Sequence, residues 1–98
     1  MYDIEYTHKA AEDLHSFSKN EQNRIISAIE TQLRYKPTIE TRNRKHMRPN
    51  RVAEWELRTG LFRVFYNVDE QVRIVEIQRI GEKRGSNIYF RGRREDLS

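Results

Sequence analysis

The chain has 98 residues, 36% hydrophobic and 35% charged, with no cysteine and a formal charge of +4; its mean hydropathy is −0.99 and its isoelectric point about 9.6. Cysteine's absence excludes disulfides, thiolate metal sites and thiol catalysis; no run of about 18 apolar residues is present to span a membrane, and nothing resembles a signal peptide. What remains is one ordered, basic, cytoplasmic domain over residues 1–98, long enough for a single core.

Residues 2–6 (YDIEY) alternate and predict a short strand. Thr7 then opens a helix whose Ala10, Ala11, Leu14 and Phe17 fall at spacings of three and four, on one face. Ser18 followed by Glu21 is a capping-box pattern for a second helix, striped by Ile25, Ile29 and Leu33 with Ile26 beside them. Pro37 ends that helix, because the residue before a proline is pushed out of the α region. Together the helices predict an antiparallel hairpin whose apolar stripes belong to the core.

Residues 37–51 hold two prolines, many arginines and no apolar period, and predict a long exposed loop. Three strands follow, VAEWELR, LFRVFYNV and VRIVEIQRI, with hairpin turns at Thr59-Gly60 and Asp69-Glu70. Ile88-Tyr89-Phe90 reads as a last short strand, and about 91–98 as a frayed basic tail. The fold class is α+β: an N-terminal strand and a two-helix hairpin packed on one face of a three- to four-stranded antiparallel sheet.

Charge is segregated along this layout. Residues 1–33 sum to −3, 34–51 to +6, 52–78 to −2 and 79–98 to +3. Two basic blocks meeting across a small fold would make a cleft for a polyanion, most often nucleic acid; two solvated basic loops are the plainer alternative. Strand alternation puts Trp55, Leu57, Phe62, Val64, Tyr66 and Val68 on one face. Glu56, Arg58, Arg63 and Phe65 then project from the other. Arg58 and Arg63 flank one hairpin, where two guanidiniums repel unless an anion lies between them. Phe65 is open to two roles, stacking an unpaired base or lying beneath the C-terminal segment.

The element order, the hairpin "WELRTGLFRVFY" and the segment "RIGEKRGSNIY" resemble the RelE/ParE superfamily of type II toxin–antitoxin toxins, over Tyr2 to about Tyr89. The resemblance implies a RelE-like fold and a toxin that cleaves mRNA at the ribosome without metal, inhibiting translation. Such cleavage must deprotonate the ribose 2′-OH, stabilise the phosphorane and protonate the leaving 5′-oxygen. By that resemblance Arg63 is the phosphate clamp, Lys83 or Arg84 a second cation, and Tyr89 a stacking or proton-transfer group. Arg42, Arg44, Lys45, Arg48 and Arg58 would hold RNA backbone, with salt-dependent affinity.

Where well-studied RelE toxins place a pair of lysines on the strand before the hairpin, this chain has Glu54 and Glu56, so the resemblance implies that a lysine base is absent there. Glu56 reads as a salt-bridge partner for Arg58 or Arg63. His46, within a basic block, is either a group titrating near neutrality for catalysis or a solvated loop histidine; His8 and His15 carry no assignment. No cluster has metal-ligand spacing, and no cofactor is expected. The implied partners are a cognate antitoxin protein, the ribosome and mRNA. Two alternatives stand beside the nuclease: a ParE-type inhibitor of DNA gyrase, and a degenerate, non-catalytic module acting through antitoxin binding.

Overall fold

The computed structural model describes residues 1–97. The chain runs β1 (Asp3–Tyr6), α1 (His8–His15), α2 (Lys19–Leu33), β2 (Arg44–His46), β3 (Trp55–Thr59), β4 (Phe62–Asp69), β5 (Ile74–Arg84), β6 (Asn87–Phe90) and β7 (Arg93–Glu95). Both helices begin where side chains replace the missing intrahelical acceptors. The Ala10 N–H donates to the Thr7 hydroxyl at 3.1 Å. At α2 the Glu21 N–H donates to Ser18 Oγ (3.2 Å) and the Ser18 N–H donates to Glu21 Oε1 (2.9 Å), a reciprocal capping box. Helix α2 stops at Leu33, ahead of Pro37. Phe17 lies in the link between the helices rather than inside α1, and packs edge-to-face on Phe62 with ring centroids 5.3 Å apart.

Among the described residues the sheet has seven strands in the order β2-β3-β4-β5-β6-β7, with β1 pairing β5 in parallel. That is more than the three or four expected, and the differences have physical sources. Strand β2 forms inside the segment expected to be a loop because β3 offers a free edge: Arg44, Lys45 and His46 pair with Leu57, Glu56 and Trp55. Strand β5 runs on to Arg84, past the end of the expected strand VRIVEIQRI, because β6 pairs with its end. Residues 93–95, expected to be frayed, pair with β6; Ser98 lies outside the described residues.

The outer edge of β5 is shared. Strand β1 covers residues 74–77 and β6 covers 82–84. Helix α1 closes the gap between them. Thr7 donates through its N–H to the Ile77 carbonyl (3.0 Å) and through its hydroxyl to the Gln78 carbonyl (3.0 Å). Asp13 accepts the Ile80 N–H at 3.0 Å. An otherwise orphaned sheet edge is thereby satisfied by Thr7, which caps α1, and by Asp13 within it.

Between the helices and the sheet lies the main core, where Ile25, Ile29 and Leu33 meet Leu57, Val64, Tyr66, Val75, Ile77 and Ile80, with Trp55 and Phe62. The alternation read from the sequence therefore assigned this face correctly. On the opposite, helix-free face Phe65 and Phe90 form a smaller cluster with Ala53, flanked by Met47, Val52, Ile88 and Leu97. Among the described residues no helix is long and apolar enough to cross a membrane.

Candidate nucleic-acid interface

The β3–β4 hairpin sets the geometry. Gly60 takes φ +57°, in the left-handed region that favours glycine, at the first position of a two-residue turn. That turn fixes the register, so Arg58 lies directly across from Arg63 on the helix-free face. Arg63 in turn faces Gly81 of β5, and Lys83, two residues further on, shares its side of the sheet. Gly81 is required by packing as well: a Cβ there would lie 2.8 Å from the Tyr89 carbonyl oxygen and 2.9 Å from the Phe90 ring. Lys45 of β2 faces Glu56 and joins the same side. The strip therefore reads Lys45, Glu56, Arg58, Arg63, Lys83.

Its charges are not balanced. Glu56 is buried to 8% exposure and accepts the Arg58 Nε–H at 2.8 Å, the salt-bridge role the sequence assigned to it. Arg63 Nη1 donates to the Gly60 and Phe62 carbonyls at 2.8 and 2.9 Å, holding the guanidinium against its own hairpin. Burial draws the Arg63 guanidinium below its ordinary value; the nearby Glu56 opposes that and Arg58 adds to it. Arginine stays protonated regardless, so the shift reports a partly desolvated cation beside a second guanidinium.

The remaining expected site residues separate from this strip. Arg84 and Tyr89 lie on the helix-covered side, in a cavity of about 300 Å³ with Ser16, Phe17 and Glu21. There Arg84 stacks over the Tyr89 ring at 4.7 Å and pairs with Glu82 at 3.0 Å. Of the two adjacent cations Lys83 and Arg84, only Lys83 therefore shares a side with Arg63. His46 also falls on the other side, edge-to-face on Trp55 with centroids 5.0 Å apart. Arg42 and Arg48 are exposed on the flanking loops.

Arg44 differs from expectation, and Phe65 takes the second of its two readings. Arg44 is not a backbone-binding loop residue: it is 8% exposed, and its guanidinium donates to the Ile39 carbonyl (2.9 Å), the Gln32 carbonyl (3.0 Å) and Gln32 Oε1 (2.6 Å). It pins the 37–43 segment to the end of α2, since alternation in β2 turns it inward with Leu57. Phe65 faces the helix-free side as expected, yet it is fully buried beneath Phe90, with ring centroids 5.6 Å apart. The C-terminal strands cover it, so it is not available to stack a base.

Sequence reasoning missed Asp13. It is completely buried and receives Arg79 bidentately at 2.7 and 3.1 Å, Arg91 Nε at 3.1 Å and the Ile80 N–H. Arg79 also lies 4.1 Å over the Phe90 ring. The signal was present: Asp13 is three residues after Ala10, on the apolar stripe, where an unpaired carboxylate would be intolerable. The loop side chains Asn50 and Arg51, and Asn67 on β4, were also passed over. Among the described residues no group of three or more metal-ligating side chains is assembled.

Comparison with known proteins places this geometry in context. The family model for the ParE toxin of type II toxin–antitoxin systems, parDE, matches residues 4–86. A structure of the RelBE2 toxin–antitoxin complex from Mycobacterium tuberculosis is similar at TM-score 0.72 and 23% identity, covering 84% of this chain and 98% of that one. The archaeal RelE–RelB complex from Pyrococcus horikoshii OT3 is similar at 0.67 and 20%, over 86% and 96% of the two chains. The intact Escherichia coli RelBE complex follows at 0.61 and 13%, over 86% and 99%. At these identities the structural likeness is one of fold. Comparison with curated proteins gave no match.

Proposed function

This chain belongs to the ParE toxin family of type II toxin–antitoxin systems, and from that premise we propose that it is an mRNA endoribonuclease that inhibits translation at the ribosome and is held in check by a cognate antitoxin. The observation that carries this reading is the unbalanced strip on the helix-free face. Arg58 and Arg63 are cross-strand partners with Lys83 on the same side, and the Glu56 carboxylate among them pairs with Arg58. Cross-strand Cβ atoms lie about 5 Å apart, a spacing at which one phosphate can engage both guanidiniums. Like charges so placed repel, and the arrangement gains most when a phosphodiester enters.

In this reading Arg63 and Lys83 stabilise charge on the phosphorane, and Arg58 and Lys45 grip the neighbouring backbone. Electrostatic stabilisation of this kind is commonly the largest single catalytic contribution. Arg84 stays with Glu82 and the Tyr89 ring, Tyr89 would contact RNA that wraps past the sheet edge, and His46 and the exposed Arg42 and Arg48 would meet it on the β2 side. The 2′-OH proton has no free carboxylate to accept it within the strip, because Glu56 already holds Arg58. Proton transfer then falls to groups of the bound RNA or its ribosomal surroundings. The three similar solved structures are complexes of a toxin with its antitoxin, and an acidic antitoxin segment covering the strip would silence this chain by the same charge logic.

A second reading is favoured by a specific observation: Arg63 and Tyr89 lie on opposite sides of the sheet, and the matching family model is that of the ParE toxin. Under that reading the chain poisons DNA gyrase through protein contacts and cleaves no RNA. Induced expression followed by mapping of mRNA 5′ ends, with and without translation, separates the two. New ends confined to translated messages are the expected result; growth arrest with intact mRNA and a DNA-damage response would overturn the nuclease reading.

A further inference from the structure

The loop between β2 and β3 is a built cavity rather than a slack connection. Its ends are tied where the Met47 N–H donates to the Glu54 carbonyl at 2.8 Å. Asn50 fixes the middle from both ends of its amide. Its Oδ1 accepts the Val52 and Ala53 N–H groups at 2.8 and 3.1 Å, and its Nδ2 donates to the Arg48 and Ala53 carbonyls, each at 2.8 Å. Between this loop and Asn67 on β4 lies a cavity of about 380 Å³, within the roughly 300–1,000 Å³ of typical small-molecule sites. A loop locked in advance loses little entropy when a ligand enters.

The lining has three chemical parts. Met47 and Ala53 give it an apolar floor, backed by the Phe65–Phe90 cluster. Arg48, exposed, and Arg51 put two cations at the rim, Arg51 Nη2 also donating to the Asp96 carbonyl at 3.0 Å. The wall carries Glu54 and Asn67 side by side: Asn67 Oδ1 accepts the Glu54 N–H at 2.7 Å, which leaves the amide NH2 as that side chain's donor. None of the ion pairs among the described residues includes the Glu54 carboxylate.

An exposed carboxylate inside a basic loop repels a nucleic-acid backbone unless it meets donors on a base. A carboxylate has two acceptor oxygens and prefers two adjacent donors. Guanine alone among the four bases presents these on its Watson–Crick edge, N1–H beside N2–H, with the O6 acceptor next to them. Adenine and cytosine set one amino donor beside a ring acceptor, and uracil sets N3–H between two carbonyls.

Resting on the RNA-binding reading above, we propose that this loop cavity holds an unpaired guanine of the RNA: Glu54 accepts N1–H and N2–H, the Asn67 NH2 donates to O6, and Arg48 and Arg51 meet the flanking phosphates. Glu54 then has a positive role in choosing the sequence to be bound. The apolar floor takes the base's face, and unpaired bases are commonly read in this way, by a stacked face and a hydrogen-bonded edge.

The test is a titration of the full chain with guanosine, adenosine, cytidine and uridine 5′-monophosphates, followed by NMR of the asparagine side-chain NH2 groups. Guanosine monophosphate should bind at least about tenfold tighter than the others, the factor expected for a charged hydrogen bond, and shift the Asn67 NH2. Glu54→Gln, at an exposed position, should erase that preference with the fold intact. Equal binding of all four, shifts confined to the arginines, or a preference surviving Glu54→Gln would overturn the assignment. Mapped mRNA cleavage tells this failure from failure of the nuclease reading. Cleavage without guanine preference removes the pocket and keeps the nuclease; guanine preference without cleavage does the reverse.

Discussion

Arg79 and Arg91, gathered on Asp13, and Arg58 and Arg63, gathered on the Gly60 turn, are the same side chain in two electrostatic settings. At the first, a fully buried carboxylate takes both guanidiniums and a strand N–H, and the Phe90 ring lies against one of them. Both Asp13 oxygens are taken up by donors within the protein. At the second, Glu56 holds Arg58 alone, and Arg63 donates to the carbonyls of its own turn rather than to a carboxylate. An arginine cluster built around a carboxylate is scaffold; one built without enough carboxylate keeps capacity for a ligand. Composition does not distinguish them, but their partners do.

The sharpest way to break this contrast is Asp13→Ala. It strands Arg79 and Arg91 and frees the Ile80 N–H, and removing one partner of a buried ion pair costs about 3–5 kcal/mol. Denaturant melts should show a loss of that size; a loss under about 1 kcal/mol would mean the network is ornamental. Phe65→Ala comes next, at about 3 kcal/mol for a buried phenylalanine. It tests whether the ring on the helix-free side belongs to the cluster with Phe90: a stable variant with weakened RNA binding would return Phe65 to base stacking. Arg63→Ala should do the opposite of Asp13→Ala. We expect stability within about 1 kcal/mol of the parent, as for a largely surface substitution, with growth arrest on induction abolished; an equally toxic variant would remove Arg63 from the site.

A smaller effect should follow acidification. The Ser18 N–H bond, above all, holds the Glu21 carboxyl below its ordinary range. Because the folded value is depressed, its contribution is complete above the unfolded value of about 4.3 and is lost as pH falls through the folded one. Circular dichroism should therefore show Glu21→Gln flattening the acid limb of the unfolding curve without changing stability's dependence on pH above about 5.

Much of this was legible in the sequence, where local chemistry decides local structure. The helix starts at Thr7 and Ser18, the Gly60 turn and the alternation from Trp55 to Tyr66 were all readable, since caps, turns and periods act within a few residues. What escaped notice depends on partners distant in sequence. The pairing of β2 rests on the edge of β3, Arg44 is drawn inward by carbonyls up to twelve residues away, and Asp13 meets arginines 66 and 78 positions later. At the site, the facing of Arg58, Arg63 and Phe65 was readable by alternation. For Phe65 the sequence left base stacking and cover by the C-terminal segment both open, because the choice needs the C-terminal strands to fold back. The side taken by Arg84 and Tyr89 turns on a strand continuing past Ile80, where the expected strand ended.

Lys83 and Arg84 offer the most direct test of the whole account, being adjacent cations that the sheet sends to opposite sides. Binding of a single-stranded RNA oligonucleotide should be measured over a series of salt concentrations for the parent, Lys83→Ala and Arg84→Ala. The unbalanced strip predicts that Lys83→Ala weakens binding and lowers the salt slope by about 0.7, the share of one single-strand phosphate, while Arg84→Ala, which breaks an internal pair with Glu82, leaves the slope unchanged. Equal losses from both variants, or a loss from Arg84→Ala alone, would contradict the assignment of the helix-free face as the nucleic-acid site.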